Sequence, residues 1–222
     1  MLFNDILASI IHDMKNSLGM VLNRLDEIVD ELPTEINESA KIASIQQEAK
    51  RLNNNLIELL TLYRIENERV SPVVDEVYLY DLLQEIMAEN QSTASSGGVT
   101  LTCSCDEDLI GYFDEGLVQG IINNLIGNAF RYTESSIEIS ATEKDGYLVL
   151  SVEDDGTGFT NAMLAAQQAD SINNNIGDGR TLLGIHFANM IAQMHQNKDK
   201  KGFIRLSNNN KLKGGCFAIY LP

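Results

Sequence analysis

Asn123-Asn124-Leu125-Ile126-Gly127-Asn128-Ala129-Phe130-Arg131-Tyr132 lies inside a helical pattern that runs from about Leu117 to Phe130. Leu117, Ile121 and Leu125 recur at steps of four and mark a buried face. Asn124 and Asn128 are also four apart and share a different face. Two aligned amides at the edge of a buried face need partners. Amide oxygens are neutral ligands that suit Mg²⁺ bound between phosphates. Arg131 adds positive charge close by, which suits a triphosphate. A polar helix surface with no ligand is the competing reading of these residues alone.

Working outward, the pattern alternates between strand and helix. Tyr78 to Met87 reads as helix and Val99 to Cys105 as strand. Ser136 to Thr142 and Leu148 to Val152 read as two strands around the turn Lys144-Asp145-Gly146. A polar stretch from about Thr160 to Arg180 precedes a helix from Leu183 to His195. Phe203 to Ser207 and Cys216 to Leu221 close the chain as strands. The expected architecture is an α/β sandwich, a mixed sheet with about three helices on one face.

The first sixty-odd residues differ. Met14, Val21 and Ile28 alternate with Ile11, Leu18, Leu25 and Leu32 at steps of three and four. Ile42, Ile45, Ala49, Leu52, Leu56, Leu59 and Tyr63 form a second unbroken heptad stripe. Pro33 interrupts the two, because the residue before a proline is biased away from helix. The expectation is a helical hairpin with arms of about 45 Å at 1.5 Å per residue. One hairpin buries too little. Each buried Leu or Ile contributes about 1.5–3 kcal/mol, against about 1–2 kcal/mol of backbone entropy per ordered residue. A homodimer closing a four-helix bundle is the economical solution. The boundary falls near Ser71-Pro72, giving an N-terminal domain over 1–68 and an α/β domain over 69–222. The fold class is α+β.

Composition narrows the function. The chain has 222 residues and a formal net charge of −16. That charge argues against nucleic acid and anionic membranes, whose binding needs Lys and Arg. No run of about 18 apolar residues is present, so no membrane span is expected within the chain. Met1-Leu2-Phe3-Asn4-Asp5 lacks the basic start of a signal peptide, and the expected location is cytoplasmic. Cys103, Cys105 and Cys216 cannot make a four-cysteine zinc site, so buried structural thiols are expected.

Three further constellations carry chemistry. His12-Asp13-Met14-Lys15-Asn16 places an imidazole beside the apolar stripe, where it should face solvent. An exposed neutral imidazole is a competent nucleophile. Asp13 can accept the proton of one ring nitrogen, leaving the other with a lone pair. Asn16 sits at i+4 from His12, where its amide could orient a water. Val152-Glu153-Asp154-Asp155-Gly156-Thr157-Gly158-Phe159 ends a strand with a carboxylate that can accept an exocyclic amine of adenine. Gly156 and Gly158 allow a sharp turn and close backbone approach. Gly177, Gly179 and Gly184 lead into a helix whose N-terminus suits phosphate. Each of these, taken alone, also reads as an ordinary surface, turn or helix start.

Taken together and in order, the motifs resemble the sensor histidine kinase family over essentially the whole chain. His12 to Leu18 resembles the H box and Asn124 to Tyr132 the N box. Asp154 to Phe159 resembles the G1 box and Gly184 to His195 the G2 box with its helix. Gly214-Gly215-Cys216-Phe217 to Pro222 resembles the closing strand. The resemblance implies a Bergerat-type ATP fold. It implies autophosphorylation of His12 from Mg-ATP and transfer to a receiver-domain aspartate of a response regulator. It implies that Asp154 reads adenine, that Asn128 ligates Mg²⁺, and that Asp13 and Asn16 serve kinase and phosphatase reactions. It also implies that Asn124, Arg131, Tyr132, Gly156, Gly158 and Gly184 line the nucleotide site. Ser17 stands where the family often has Pro, so the first helix should lack a bend. Arg180-Thr181-Leu182-Leu183-Gly184 is poorer in glycine than the family's G2 pattern. No sensor segment precedes His12, so input is expected from a separate sensor protein or an absent region. The competing reading is a histidine phosphotransferase or phosphatase whose ATP domain is degenerate.

Overall fold

In the computed structural model the described residues are 3–31, 40–68, 71–166, 179–208 and 210–222. The turn at Pro33 and most of the polar stretch before Arg180, including Gly177, lie outside them. The chain divides into two compact units, Met1–Val70 and Ser71–Pro222.

The first unit is two helices of 29 residues each, α1 (Phe3–Glu31) and α2 (Ala40–Glu68). α1 runs unbroken through Ser17, as the absence of proline there predicts. Ile11, Leu22, Leu60 and Leu62 are buried. Met14, Val21 and Ile28, spaced seven apart, are not; nor are Ile45, Leu52 and Leu59, also seven apart. These six are between 41 and 57% exposed. A large part of the heptad stripe therefore faces outward from the hairpin.

The second unit follows the order β1 (Asp75–Tyr78), α3 (Leu79–Gly97), β2 (Thr100–Ser104), β3 (Ile110–Phe113), α4 (Glu115–Ala129), β4 (Ser136–Lys144) and β5 (Tyr147–Asp154). It continues with α5 (Asn161–Ala166), α6 (Gly179–Met194), β6 (Gln196–Asn197), β7 (Lys200–Lys201), β8 (Phe203–Asn208) and β9 (Gly215–Leu221). The main sheet has five strands in the order β2-β4-β5-β9-β8. β2 runs parallel to β4 and every other pair is antiparallel. This is the mixed sheet that the sequence predicts.

Alternation along the strands sorts the two faces. Ile137, Ile139, Leu150, Val152, Phe217 and Ile219 occupy matching registers on one face and are buried. Leu82, Leu83 and Ile86 of α3, Val118, Ile122 and Ile126 of α4, and Ile185, Ala188 and Ile191 of α6 are buried with them. The opposite face carries Val149, Ala218 and Tyr220 with the rings of Tyr147 and Phe203. Phe203 and Tyr220 stack with centroids 4.4 Å apart, and Lys200 sits 4.6 Å over the Tyr147 ring. Asp145 and Gly146 both have positive φ, 54° and 72°, as a two-residue hairpin turn demands.

Several expectations need correction. The helix read from Tyr78 to Met87 continues to Gly97, because Ala94 is fully buried and Asn90 is held by Ile86 O and Asn123 Oδ1. Shortly after the boundary at Ser71-Pro72 the chain forms β1, which pairs with the unforeseen β3. The cysteines are also less buried than expected. β2 ends at Ser104 on an edge of the sheet, so Cys103 and Cys105 are only half-buried, and Cys216 alone is buried. Burial, then the Glu153 charge, pushes the Cys216 thiol up to about 11.

α4 starts where Asp114 caps it, its Oδ1 accepting from Leu117 N at 3.0 Å. Asp114 Oδ2 accepts from Val73 N at 2.9 Å. The buried His195 accepts from Asp114 N through Nε2 and lies 2.8 Å from Ile191 O through Nδ1. Caps and side chains thus lock α4 to α6 and to the start of the unit.

Candidate functional site

The end of β5 and its neighbours converge on Asp154. Its Oδ1 accepts from Gly156 N at 2.8 Å and from Gly215 N at 3.3 Å. Its backbone O accepts from Gly214 N at 3.1 Å. A Cβ at 214 would stand 2.3 Å from Asp154 O, and one at 156 would stand 1.8 Å from Tyr132 O. Only glycine tolerates either approach, so these positions are set by close backbone packing. Asp154 Oδ2 has no partner among the described residues. The strand thus ends in a half-buried carboxylate with one oxygen anchored and one left to accept.

Asp155, the next residue, faces the other way. Its Oδ1 accepts from Thr133 Oγ1, Glu134 N and Ser135 N, and its Oδ2 from Ser135 N and Ser135 Oγ. Burial raises its pKa. The bonds from the Ser135 side chain and backbone and from Thr133 outweigh that and hold it well below the usual carboxylate range. This carboxylate ties the turn after α4 to the end of β5. It therefore fixes Tyr132, whose carbonyl touches Gly156.

The amides of α4 sit opposite α6. Asn128 Nδ2 lies 3.4 Å from Asn124 Oδ1, and both side chains are half-buried. A Cβ at Gly184 would come to 3.3 Å from Asn124 Nδ2 and 4.0 Å from Asn128 Nδ2. The sequence-predicted Asn124, Asn128 and Gly184 are therefore brought together, and so are Asp154, Gly156 and Tyr132. Arg131 and the Tyr132 ring are exposed at the end of α4. Asn123 turns aside and donates to Glu89 Oε2 at 2.8 Å, pinning α4 to α3.

Gly158 has φ of +72° and abuts Asn208, whose side chain pairs with the backbone of Phe159. Sequence reading missed Asn208. Its only signal is the run Ser207-Asn208, which looks like any strand-to-turn boundary. Asp155 lay in a quoted motif, but its role is visible only in three dimensions.

His12, Asp13 and Asn16 belong to the other unit. The His12 ring is half-exposed on α1. Its Nδ1 is 3.2 Å from Asn16 Nδ2 and 3.8 Å from Asp13 Oδ1. Nε2 has no partner among the described residues.

Residues 113–222 match the family model described as histidine kinase-, DNA gyrase B- and HSP90-like ATPase. The chain is 27% identical over 227 residues to the sensor protein SrrB of Staphylococcus aureus, covering 98% of the chain and 38% of that protein. It is 25% identical over 228 residues to histidine kinase P4 of Formosa agariphila, covering 97% of the chain and 16% of that protein. The chain thus spans well under half of each of these curated relatives. Among solved structures, full-length ShkA in complex with AMPPNP superposes with a TM-score of 0.67 at 18% identity, over 100% of this chain and 46% of that one. Histidine kinase AdeS of Acinetobacter baumannii superposes with a TM-score of 0.58 at 17% identity, over 95% of this chain and 96% of that one. These structures share the fold, and the family model matches the α/β unit from Phe113 onward; with the histidine kinase relatives, this supports a histidine kinase ATP-binding core.

Proposed function

We propose that this chain is the catalytic core of a two-component histidine kinase. It autophosphorylates His12 from Mg-ATP and passes the phosphoryl group to a response-regulator aspartate. The observation that carries this reading is the state of the two sites. Asp154 presents one anchored and one accepting oxygen where an adenine amine would arrive, and His12 stands half-exposed on α1 with Asp13 and Asn16 beside its Nδ1.

Asp154 Oδ2 accepts the adenine exocyclic N–H. Gly156, Gly214 and Gly215 let the backbone pack closely around Asp154, and Gly158 turns the chain away. Asn124 and Asn128 face Gly184 at the phosphate end, with Arg131 adding charge. Among the described residues no cluster of three His, Cys, Asp or Glu stands ready for a metal. Mg²⁺ would accordingly be held by phosphate oxygens and the neutral amide oxygen of Asn128. When bound, it neutralises charge that develops between the β- and γ-phosphates.

His12 Nε2 attacks the γ-phosphorus, the bond to the ADP oxygen breaks, and ADP leaves. Attack needs the lone pair on Nε2 and the proton on Nδ1, where the Asp13 carboxylate, 3.8 Å away, closes in to accept from it as the ring becomes cationic; the Asn16 Nδ2, which can only donate, does not hold that proton. In the second step an aspartate of the receiver displaces the imidazole. In the reverse sense, the Asn16 amide positions a water against the receiver's acyl phosphate, which gives the phosphatase reaction.

The exposed heptad rows on α1 and α2 have the spacing of a bundle seam. A second copy of the hairpin would cover them, so the working form is a homodimer with a four-helix core. The rest of the protein, or a separate sensor, would supply the signal.

The test is incorporation of labelled γ-phosphate from Mg-ATP into wild type and His12→Ala, with ATP binding measured on both. The expected result is acid-labile label in the wild type alone and equal ATP affinity. Equal labelling of both would remove His12 from the mechanism. No label and no ATP binding would favour the phosphotransferase reading, for which the sparse glycines at 180–184 are the motivating feature.

A further inference from the structure

Asn208 is the last residue of β8 and lies outside all the motifs above. Its Oδ1 accepts from Phe159 N at 2.8 Å, and its Nδ2 donates to Phe159 O at 2.8 Å. One side-chain amide therefore satisfies both backbone groups of one residue, as a neighbouring strand would. Phe159 stands at the exit from Asp154–Phe159, two residues before α5 begins at Asn161.

The clamp is built tightly. Asn208 is paired in the sheet with Gly215. A Cβ at Gly215 would stand 3.0 Å from Asp154 Oδ2 and 3.1 Å from Cε2 of the Phe159 ring. The accepting oxygen of Asp154 and the Phe159 ring thus flank the same glycine. A Cβ at Gly158 would stand 2.7 Å from Asn208 Oδ1, and that glycine has φ of +72°. The route Asn208, Phe159, Gly215, Asp154 closes on itself.

We propose that Asn208 is a positioning residue of the nucleotide site: its paired hydrogen bonds hold Phe159 beside the adenine-accepting oxygen of Asp154 and fix the exit of the chain toward α5. The inference rests on the reading that Asp154 receives adenine. The sheet itself does not need these bonds, because β8 already pairs with β9 from Phe203 to Asn208. What they hold is the residue that walls the base site. An aromatic wall next to an anchored acceptor gives a flat base both an edge contact and a face or edge of a ring.

The experiment uses the full chain with Asn208→Ala, Asn208→Asp and Asp154→Asn. It measures KM and kcat for Mg-ATP in the labelling reaction, Mg-ATP Kd at equilibrium, and the thermal midpoint. For Asn208→Ala, KM and Kd should rise by roughly tenfold while kcat at saturation changes little, the signature of lost base placement. Asn208→Asp is isosteric and keeps the acceptor for Phe159 N, but it turns a carboxylate oxygen toward Phe159 O. It should weaken binding at least as much as Asn208→Ala. A lower thermal midpoint with unchanged KM and Kd in both variants would make Asn208 purely structural and overturn the proposal. Asp154→Asn separates the two levels. Unchanged affinity there would overturn the adenine reading itself. Weakened affinity there with normal Asn208 variants would overturn the Asn208 assignment alone.

Discussion

The two units solve the burial problem in opposite ways. In Ser71–Pro222 the apolar residues of three helices meet one face of a five-stranded sheet, and Leu83, Ile86, Ile122, Ile126, Ile137, Ile139, Leu150 and Ile191 are fully sealed. In Met1–Val70 two helices can bury only the strip between them, and Val21, Ile28, Ile45 and Leu52 stay in solvent. A sheet with helices on one face closes its own core, whereas a two-helix hairpin has nothing to close against. The α/β unit covers its own apolar face, whereas the hairpin leaves rows of apolar residues uncovered.

The comparison can be broken at its extremes. The largest effect expected is on His12→Ala, where labelling falls to background while ATP affinity in the other unit is untouched. Next is the seam. Leu52→Glu with Leu59→Glu would bury two unpaired carboxylates in a dimer interface. We expect dissociation to monomers by sedimentation, loss of helical signal and an ATP Kd within about twofold of wild type, since uncoupled sites act additively. A charged variant that stays dimeric would show that these faces do not form the interface. Ile122→Ala reverses the pattern. It opens a cavity in the sealed core at a cost of about 2–5 kcal/mol. ATP binding should weaken with temperature, while the oligomeric state holds. Loss of dimer in Ile122→Ala would mean that the units are not separable in this way.

The difference between the units also explains what was legible in the sequence. Heptads announce themselves over long windows, so Met14, Val21 and Ile28 could be placed before any coordinates. Strands β4, β5 and β9 were legible because their inner faces are apolar and their outer faces mixed. Strands β1 and β3 were not: each has four residues, and Asp75-Glu76-Val77-Tyr78 reads as polar linker until Val77 is seen buried and Gly111 is seen packed on Leu148 and Phe113. The residues of the site fall into the same two classes. Asn128 and Asp154 sit in dense motifs whose order carried the signal. Asn208 and Asp155 act through bonds to partners 49 and about 20 residues away, and no local pattern encodes such a pairing. The glycines at 214 and 215 stood in a quoted motif, yet their reason, the carbonyl and carboxylate of Asp154, is a tertiary fact.

Asp155 gives the smallest and most specific test of that last point. Its folded-state pKa is depressed, so its contribution is fully present above the ordinary carboxylate pKa of about 4 and fades as pH falls below that value. Asp155→Asn keeps one acceptor oxygen but no charge, and the N–H groups of Glu134 and Ser135 then face a neutral partner. Urea midpoints of wild type and Asp155→Asn should differ at pH 7 and pH 5, with the wild type higher, and the gap should begin to narrow by pH 3. The net charge of −16 makes both proteins change as they titrate, so the gap between them is the quantity to read, not either midpoint. A gap that persists unchanged to pH 3 would mean that shape rather than charge holds the turn at Thr133–Ser135. A gap that narrows would show that one ionised carboxylate fastens the end of α4 to the end of β5, and with it Tyr132 to Gly156.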